Sequence, residues 1–238
     1  MPNQRNSARK NVEVVKLDRV SLYYPQGTPI FYDLSYSFFA GGFYFLTGAS
    51  GAGKTSLLRL IYRGVKATEG IVRVFGRDVS RLSSEELPLF RQKMGLVFQD
   101  CRLINHLTAV ENVALAMRIV GNPPQRCFSY AKELLHWVGL GDHLNHLPSM
   151  LSDGQKQRIG IARAVITRPL LLIADEPTGN VDEAVAYKLM ILFEEMNKVG
   201  TTVILATHNT GLVKSFSYPV LHLNQGQLLH AEPRDQGV

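Results

Sequence analysis

Residues 48–55 read GASGAGKT, the pattern of glycine, four residues, glycine, lysine, and serine or threonine. The stretch follows a strand predicted at 43–47 and precedes a helix predicted from 55 to about 62, which is the setting of a phosphate-binding loop. Glycines let several backbone N–H groups turn inward around one anion, and the start of the helix adds its positive end. A glycine turn with a surface lysine is the alternative for the bare pattern. The predicted nucleotide contacts are Gly48, Ala49, Ser50, Gly51, Ala52, Gly53, Lys54, Thr55 and Ser56.

Two side chains of this loop and two acids further along the chain are expected to meet at one ligand. Lys54 would contact the β- and γ-phosphates of a nucleotide, and the Thr55 hydroxyl would ligate Mg²⁺. The apolar run at 170–174 leads directly into Asp175 and Glu176. Because parallel strands end at the same sheet edge, Asp175 would hold Mg²⁺ through water and Glu176 would act as general base. The alternative is a pair of acids that only starts a helix.

The remaining pattern predicts an α/β fold with a covered parallel sheet. The runs 170–174 and 202–207 are apolar or β-branched, and a helix predicted at about 182–199 separates them. Segments 34–39 and 43–47, split by two glycines, predict a hairpin. The spacing of Ser152 and Gln155 predicts a capping box at the start of a helix. Further predicted elements are strands at 12–24, 71–75 and 94–98 and helices at 84–90, 110–119 and 125–138.

Composition limits the partners and the compartment. The chain has 238 residues, of which 45% are hydrophobic, and 26 Lys and Arg against 20 Asp and Glu give a formal charge of +6. Nucleic acid, a phosphate-rich ligand or an anionic membrane surface would each suit that charge. We expect a cytosolic chain with no secretory signal, no membrane span, and free thiols at Cys101 and Cys127. We expect residues 1–10 to form a disordered basic arm, either lipid-contacting or merely solvated, and 11–238 to form one domain.

Further motifs follow one another along the chain. Residues 151–155, LSDGQ, resemble the signature motif of ABC-type ATPases, whose common form has glycine in place of Asp153. Tyr24 matches the aromatic residue that stacks on adenine in that family, Gln99 the Q-loop glutamine, Asp182 the D-loop aspartate and His208 the switch histidine. Packing beside Tyr23 is the alternative for Tyr24, and a plain polar role is the alternative for Gln99. The resemblance extends over Gln157, Arg158, Ile161, Ala162, Arg163 and Ala164, of which the two arginines are expected to be solvated or structural.

The resemblance implies a fold, a mechanism and a set of site residues. The fold is a P-loop (RecA-like) ABC nucleotide-binding domain with an antiparallel β-subdomain and an inserted helical subdomain at about 100–168. The activity is hydrolysis of ATP with Mg²⁺ in a head-to-tail homodimer, in which the loop of one protomer and the signature of the other enclose each ATP. We expect Asp153 to turn away from that phosphate, because the two negative charges would repel each other. The implied residues are catalytic Glu176, His208, Lys54, Gln99 and Asp182, metal-binding Thr55, Gln99 and Asp175, and nucleotide-binding Tyr24, Ser152, Gly154 and Gln155.

Two longer runs narrow the resemblance. ADEPTGNVD at 174–182 and LFEEMNKVGTTVILATH at 192–208 are most similar to the FtsE family of bacterial cell division. That similarity implies a transmembrane subunit resembling FtsX, a peripheral location on the cytoplasmic face of the inner membrane, possible contact with anionic lipid and no nucleic acid. Three alternatives stay open: the ATPase of a lipoprotein or macrolide exporter, a soluble DNA-repair ATPase of the ABC type, and a regulatory module that binds nucleotide without hydrolysis.

Overall fold

The computed structural model describes residues 12–23 and 29–231. Over these residues the strands are β1 (Glu13–Leu22), β2 (Phe31–Phe39), β3 (Phe43–Thr47), β4 (Glu69–Val74), β5 (Arg77–Asp78), β6 (Met94–Val97), β7 (Leu171–Asp175), β8 (Thr202–Ala206), β9 (Val220–Asn224) and β10 (Gln227–Ala231). The helices are α1 (Lys54–Ile61), α2 (Glu86–Arg91), α3 (Ala109–Ile119), α4 (Pro124–Trp137), α5 (Asp153–Val165), α6 (Glu183–Lys198) and α7 (Thr210–Lys214). Short 3₁₀ helices lie at Val79–Arg81, Gly141–His143 and Pro148–Met150.

A six-stranded sheet in the order β10-β9-β3-β8-β7-β6 forms the centre of the fold. Its strands from β9 to β6 run parallel, and only β10 is antiparallel to its neighbour. All five residues of β7 and of β8 are buried, as expected of strands covered on both faces. Asp175 at the end of β7 is in register with Ala206 at the end of β8, which in turn is in register with Leu46 of β3. The strands that carry the two predicted motifs therefore end at one sheet edge, as predicted.

The predicted hairpin between β2 and β3 is wrong. β2 pairs antiparallel with β1 in a separate four-stranded sheet of order β2-β1-β4-β5, whereas β3 lies between β8 and β9 in the central sheet. The burial of each strand gives the reason: only Phe31, Leu34 and Phe38 of the nine residues of β2 are buried, whereas the first four residues of β3 are all buried. A strand that is apolar on both faces needs cover on both faces, which an edge hairpin does not supply.

Two apolar clusters lie on opposite faces of the central sheet. On one face, Phe45 and Leu172 pack with helices α3 to α6. On the other face, Leu46 and Ile173 pack with the antiparallel sheet and α1. The alternation of neighbouring residues between the two clusters follows from the period of two in a strand. Helices α3, α4 and α5 all fall within 100–168, the range predicted for a helical subdomain, although the boundaries of that subdomain stay a prediction.

Some sequence-based expectations shift or fall outside the structure. α2 begins at Glu86 after Glu85, whose side chain makes no cap hydrogen bond, and the Ser83 Oγ accepts a hydrogen bond from the Glu86 N–H at 3.2 Å. Tyr24 and the arm at 1–10 lie outside the described residues. Within the described ranges, no helix combines the length and the apolar character that crossing a bilayer takes. Cys101 and Cys127 are buried free thiols, as expected.

Candidate functional site

The glycine-rich loop connects the end of β3 to the start of α1 and depends on glycine at two positions. A Cβ on Gly48 would lie 2.5 Å from the carbonyl oxygen of Leu223 on the neighbouring strand β9, so only glycine fits. Gly53 precedes α1 with φ of 101°, a left-handed conformation that side chains other than glycine rarely adopt. The loop therefore passes close to the sheet edge, and the first turn of α1 opens toward the same space.

Lys54 is folded back over this loop. Its side chain is largely buried, and Nζ donates hydrogen bonds to the carbonyl oxygens of Gly48 at 2.9 Å and Ala49 at 3.2 Å. The two carbonyls hold the ammonium at the mouth of the loop without neutralising its charge. An anion bound by the loop would therefore meet a cation that is already in position.

Asp175 lies at the end of β7 beside the first turn of α1. Burial raises the pKa of its carboxyl above the usual range, and the adjacent charge of Glu176 raises it further, whereas a hydrogen bond from the Thr55 side chain and the charge of Lys54 act in the opposite direction. The carboxylate of Asp175 and the hydroxyl of Thr55 thus meet directly. Gln99 lines the same cavity, so three oxygen donors of the type that Mg²⁺ prefers converge here.

Glu176 and His208 form a second pair at the same edge. The Glu176 side chain, 13% exposed, places Oε2 2.9 Å from His208 Nδ1, and Oε2 also accepts a hydrogen bond from the His208 backbone N–H at 3.3 Å. The Glu176 backbone has φ of 49° and donates to the carbonyl of Ala206 at 2.9 Å. The histidine ring itself is 71% exposed. A carboxylate is therefore held in a fixed place at the cavity wall, with an imidazole that is free to contact a ligand.

One cavity of about 530 Å³ joins these groups, a size suited to the polyphosphate of a nucleotide. It brings together most of the predicted loop and acid residues, while Gly48, Ala49 and Ala52 shape the loop without lining the cavity. Sequence reasoning missed Ile30, Gly179 and Asn180 in its wall; the last two belong to the run that follows the acids. The predicted residues that line the cavity are Ser50, Gly51, Gly53, Lys54, Thr55, Ser56, Gln99, Asp175, Glu176 and His208.

The signature residues lie in a different cleft, of about 460 Å³. Ser152, Asp153 and Gly154 line it together with Asp182, and Asn180 lines both this cleft and the first cavity. A Cβ on Gly154 would lie 2.7 Å from the Asn180 carbonyl oxygen, so the two segments touch through their backbones. One chain therefore holds the phosphate loop and the signature as two separate half-sites.

Two helices begin at this cleft, each with a side-chain cap. The Ser152 N–H donates to Gln155 Oε1 at 2.8 Å, and the Gln155 N–H donates to Ser152 Oγ at 3.3 Å, which confirms the predicted capping box of α5. Asp182 caps α6, because its carboxylate accepts a hydrogen bond from the Val185 N–H at 2.9 Å. Asp153 is 80% exposed and pairs with Lys156 at 3.1 Å. In the single chain, the Asp153 carboxylate is therefore paired with a lysine one turn further along the same helix.

The segment that follows Gln99 is clamped to α5. Cys101 and Arg102 both have positive φ, and Arg163 donates hydrogen bonds to both of their carbonyl oxygens at 2.7 Å. Cys101 Sγ also lies 2.8 Å from Gln157 Oε1. Arg163 thus has a structural role, one of the two outcomes expected for it. The segment beside the first cavity and the helix that carries the signature are tied to each other.

Comparison with known proteins agrees with this geometry. The family model described as ABC transporter matches residues 31–179. The chain is 42% identical to the cell division ATP-binding protein FtsE of Haemophilus influenzae over 216 residues, which cover 90% of this chain and 99% of that protein. FtsE of Escherichia coli K12 is 39% identical, with 90% and 97% covered, and FtsE of Bacillus subtilis 35% identical, with 94% and 98% covered.

Two solved structures share the fold. Both are dimers of MJ0796, one described as a bacterial ABC transporter cassette and the other as a post-hydrolysis state bound to ADP and Pi. Each is 32% identical to this chain with a TM-score of 0.87, and each comparison covers 92% of this chain and 99% of the other.

Proposed function

The chain belongs to the ABC transporter family as an FtsE-like ATPase, and from that premise we propose that it powers a two-component membrane complex of bacterial cell division. In this complex the chain is the peripheral subunit on the cytoplasmic face of the inner membrane, and its partner is a transmembrane protein resembling FtsX. The observation that carries the mechanism is the separation of the phosphate loop and the signature into two cavities of one chain. Two chains placed head to tail complete two ATP sites, and that arrangement closes on itself.

The first cavity fits ATP with Mg²⁺. The loop amides, the start of α1 and Lys54 bind the phosphates, and Thr55, Gln99 and Asp175 supply oxygen ligands for the metal. Mg²⁺, when bound, neutralises charge that develops on the phosphate oxygens. Adenine stacks on Tyr24. From the partner protomer, Ser152 and the Gly154 N–H at the start of α5 meet the γ-phosphate, while Gln155 holds the Ser152 cap.

Hydrolysis uses the two residues that end β7 and follow β8. Glu176 accepts a proton from the attacking water, whose oxygen then bonds to the γ-phosphorus as the bond to the bridging oxygen of ADP breaks. His208 donates a hydrogen bond to the γ-phosphate. The contact between Glu176 Oε2 and His208 Nδ1 supports this assignment, because it keeps the base and the imidazole within reach of one phosphate. Asp182, at the cap of α6, keeps the second half-site aligned with the first.

An apolar groove beside Gln99 supports a protein partner. The groove has a volume of about 440 Å³, and Phe98, next to Gln99, forms part of its wall. Ile119 on its rim is 58% exposed. We assign this groove to a cytoplasmic segment of the transmembrane subunit, so that movement of the Gln99 segment reaches the membrane. The apolar part of the wall consists of Pro88, Met94, Leu96, Phe98, Ile104, Leu115, Ala116, Ile119, Val120 and Ala164.

Co-expression with the transmembrane subunit tests the proposal. We expect the chain to be recovered with the membrane fraction and to co-purify with that subunit, and Ile119→Glu to abolish this recovery by placing a charge in the groove. Val199→Glu is the matched control, because Val199 is 70% exposed and does not line the groove. Without the subunit, only weak, salt-sensitive association with anionic vesicles is expected. Tight binding to membranes by the chain alone at high salt would contradict this division of roles, and co-purification with an exporter permease would indicate transport instead.

A further inference from the structure

A short chain of side-chain contacts links His143 to the signature cap. Gln155 Oε1 accepts the hydrogen bond from the Ser152 N–H at 2.8 Å, so its other terminal atom, Nε2, is the amide NH₂. That Nε2 lies 2.9 Å from His143 Nε2. Since an amide NH₂ has only hydrogens to offer, His143 Nε2 must accept, and the neutral imidazole must carry its proton on Nδ1.

The far side of the imidazole makes no bond that competes with this assignment. His143 Nδ1 is buried and has no hydrogen-bond partner within the described part of the chain. Leaving the Nδ1–H donor buried without a partner costs free energy. The hydrogen bond that Nε2 accepts from the Gln155 amide is the interaction that favours this tautomer. The ring of His146 lies with its centroid 5.1 Å from that of His143, and its Nδ1 is likewise buried without a partner among the described residues.

We propose that His143 is a positioning residue for the signature motif and that it acts only as the neutral imidazole protonated on Nδ1. In that form it fixes the orientation of the Gln155 amide, and the amide holds the Ser152 backbone in the capped geometry. The inference rests on the proposed function, in which Ser152 and the start of α5 meet the γ-phosphate bound by the partner protomer. His143 itself does not touch nucleotide.

Protonation of His143 would reverse the orientation that it selects. An imidazolium has a hydrogen on both nitrogens, so Nε2–H would face the Gln155 NH₂. Rotation of the amide by half a turn would restore a hydrogen bond to His143 but would remove the acceptor from the Ser152 N–H. The signature cap is therefore intact with the neutral imidazole and would be weakened by its protonation, because the Ser152 N–H would lose its acceptor.

Two acidic groups on the neighbouring helices already have partners, and the acidic residue next to His143 is exposed. Asp153 is paired with Lys156 at 3.1 Å, Glu111 accepts a hydrogen bond from the Thr108 hydroxyl at 2.8 Å, and Asp142 is exposed. On the elements packed around the imidazole, the charged groups and histidines are Asp142, His146, Glu111, Arg118, Arg126, Lys132, Glu133, His136, Asp153, Lys156, Arg158 and Arg163.

The tautomer of His143 tests the inference directly. Long-range ¹H–¹⁵N correlation spectra of the full chain labelled in its 7 histidines, with His143 assigned from the loss of its signals in His143→Gln, report which nitrogen is protonated. We expect the Nδ1–H form at pH 7.5. The Nε2–H form, or a mixture of both forms, would overturn the inference. This measurement needs neither ATP nor a partner, so its outcome is separate from that of the proposed function.

A pair of variants tests the consequence for the signature. His143→Gln places an amide oxygen near the position of Nε2 and accepts without titrating, whereas His143→Leu removes the acceptor. In the Glu176→Gln background we expect His143→Leu to weaken ATP-dependent dimerisation at pH 7.5 by about two- to tenfold, the worth of one neutral hydrogen bond, and His143→Gln to restore it. We expect the dimer affinity of the protein that retains His143 to depend on pH more strongly than that of the His143→Gln variant, in which the side chain at position 143 cannot be protonated. Equal affinities at all pH values for the three proteins would overturn the inference; absence of any ATP-dependent dimer would instead overturn the proposed function and leave the tautomer to decide.

Discussion

The Glu176 carboxylate accepts a hydrogen bond from the His208 backbone at 3.3 Å and lies 2.9 Å from the ring nitrogen Nδ1 of the same residue. The two residues are 32 positions apart in the chain and meet because β7 and β8 are adjacent parallel strands. The geometry therefore couples a candidate base to a candidate phosphate contact.

Glu176→Gln keeps the shape of this pair but removes the base. We expect the variant to bind ATP, to lose turnover by about 10²- to 10⁴-fold, and to accumulate as an ATP-bound dimer. Sedimentation with ATP and Mg²⁺ measures the dimer, and phosphate release measures turnover. Only monomers under these conditions would contradict the two-half-site mechanism.

Lys54→Ala removes the cation that the loop carbonyls hold in place. We expect nucleotide binding to be lost, because the phosphates lose a charge-assisted hydrogen bond at the centre of the cavity. Calorimetric titration with ATP is the measurement, and Lys66→Ala, at an exposed position outside the cavity, is the matched control. An affinity equal to that of the parent would reject the role of Lys54.

Asp153→Gly restores the common form of the signature. Because Asp153 is exposed and paired with Lys156, we expect ATP turnover to change by less than about threefold, and thermal stability to fall slightly as the first turn gains backbone freedom and loses a favourable charge. Asp153→Asn removes the charge but keeps the shape of the side chain, so it distinguishes the effect of the charge from the effect of the added glycine. A tenfold or larger rise of ATPase activity in both variants, shrinking with added salt, would show that Asp153 faces the nucleotide.

Asp175→Asn is expected to stabilise the nucleotide-free chain. Burial raises the pKa of Asp175, so the folded state binds its proton more tightly than the unfolded state, and ionisation costs stability as the pH rises through that pKa. The gain in melting temperature should therefore be small near pH 4 and grow toward pH 8. Thermal unfolding followed by circular dichroism measures it. Glu69→Gln is the matched control, because it removes a carboxylate charge at an exposed position. A gain that shrinks with rising pH would contradict the assignment.

Arg163→Gln tests the clamp on the Gln99 segment. The loss of two charge-assisted hydrogen bonds to the Cys101 and Arg102 carbonyls should lower the free energy of unfolding by about 2 kcal/mol. Urea denaturation measures the change, with Arg118→Gln on exposed α3 surface as control. If both variants unfold alike, the clamp contributes nothing to stability.

The site was predictable where a motif and a strand end coincide. Asp175 and His208 lie at or just after the ends of β7 and β8, and Lys54 begins the helix that follows the loop after β3, so local pattern and sheet geometry together bring them to one edge. Ile30 was not predictable in this way, because it enters the cavity from the antiparallel sheet, whose position depends on distant packing.

The positions of the strands and helices were more predictable from the sequence than the pairing of the strands. The apolar run of β3 predicts a strand, but its pairing with β8 and β9 is decided by burial on both faces, which two adjacent glycines do not reveal. The strands β9 and β10 carried a usable signal in the alternating residues on either side of Gln225 and Gly226, which form the turn.

The chain passes from one sheet to the other between β2 and β3, and this affects how it folds during synthesis. The Gly41 N–H donates to the Thr202 hydroxyl at 3.0 Å, a contact between residues 161 positions apart, and both neighbours of β3 also come from the last part of the chain. On the ribosome, β1, β2 and β4 can pair early, whereas β3 waits until β8 emerges, which at ordinary elongation rates takes about 10 to 30 s. During that interval the apolar segment that leads into the phosphate loop has no sheet to join, so it is the part of the nascent chain on which a chaperone would act.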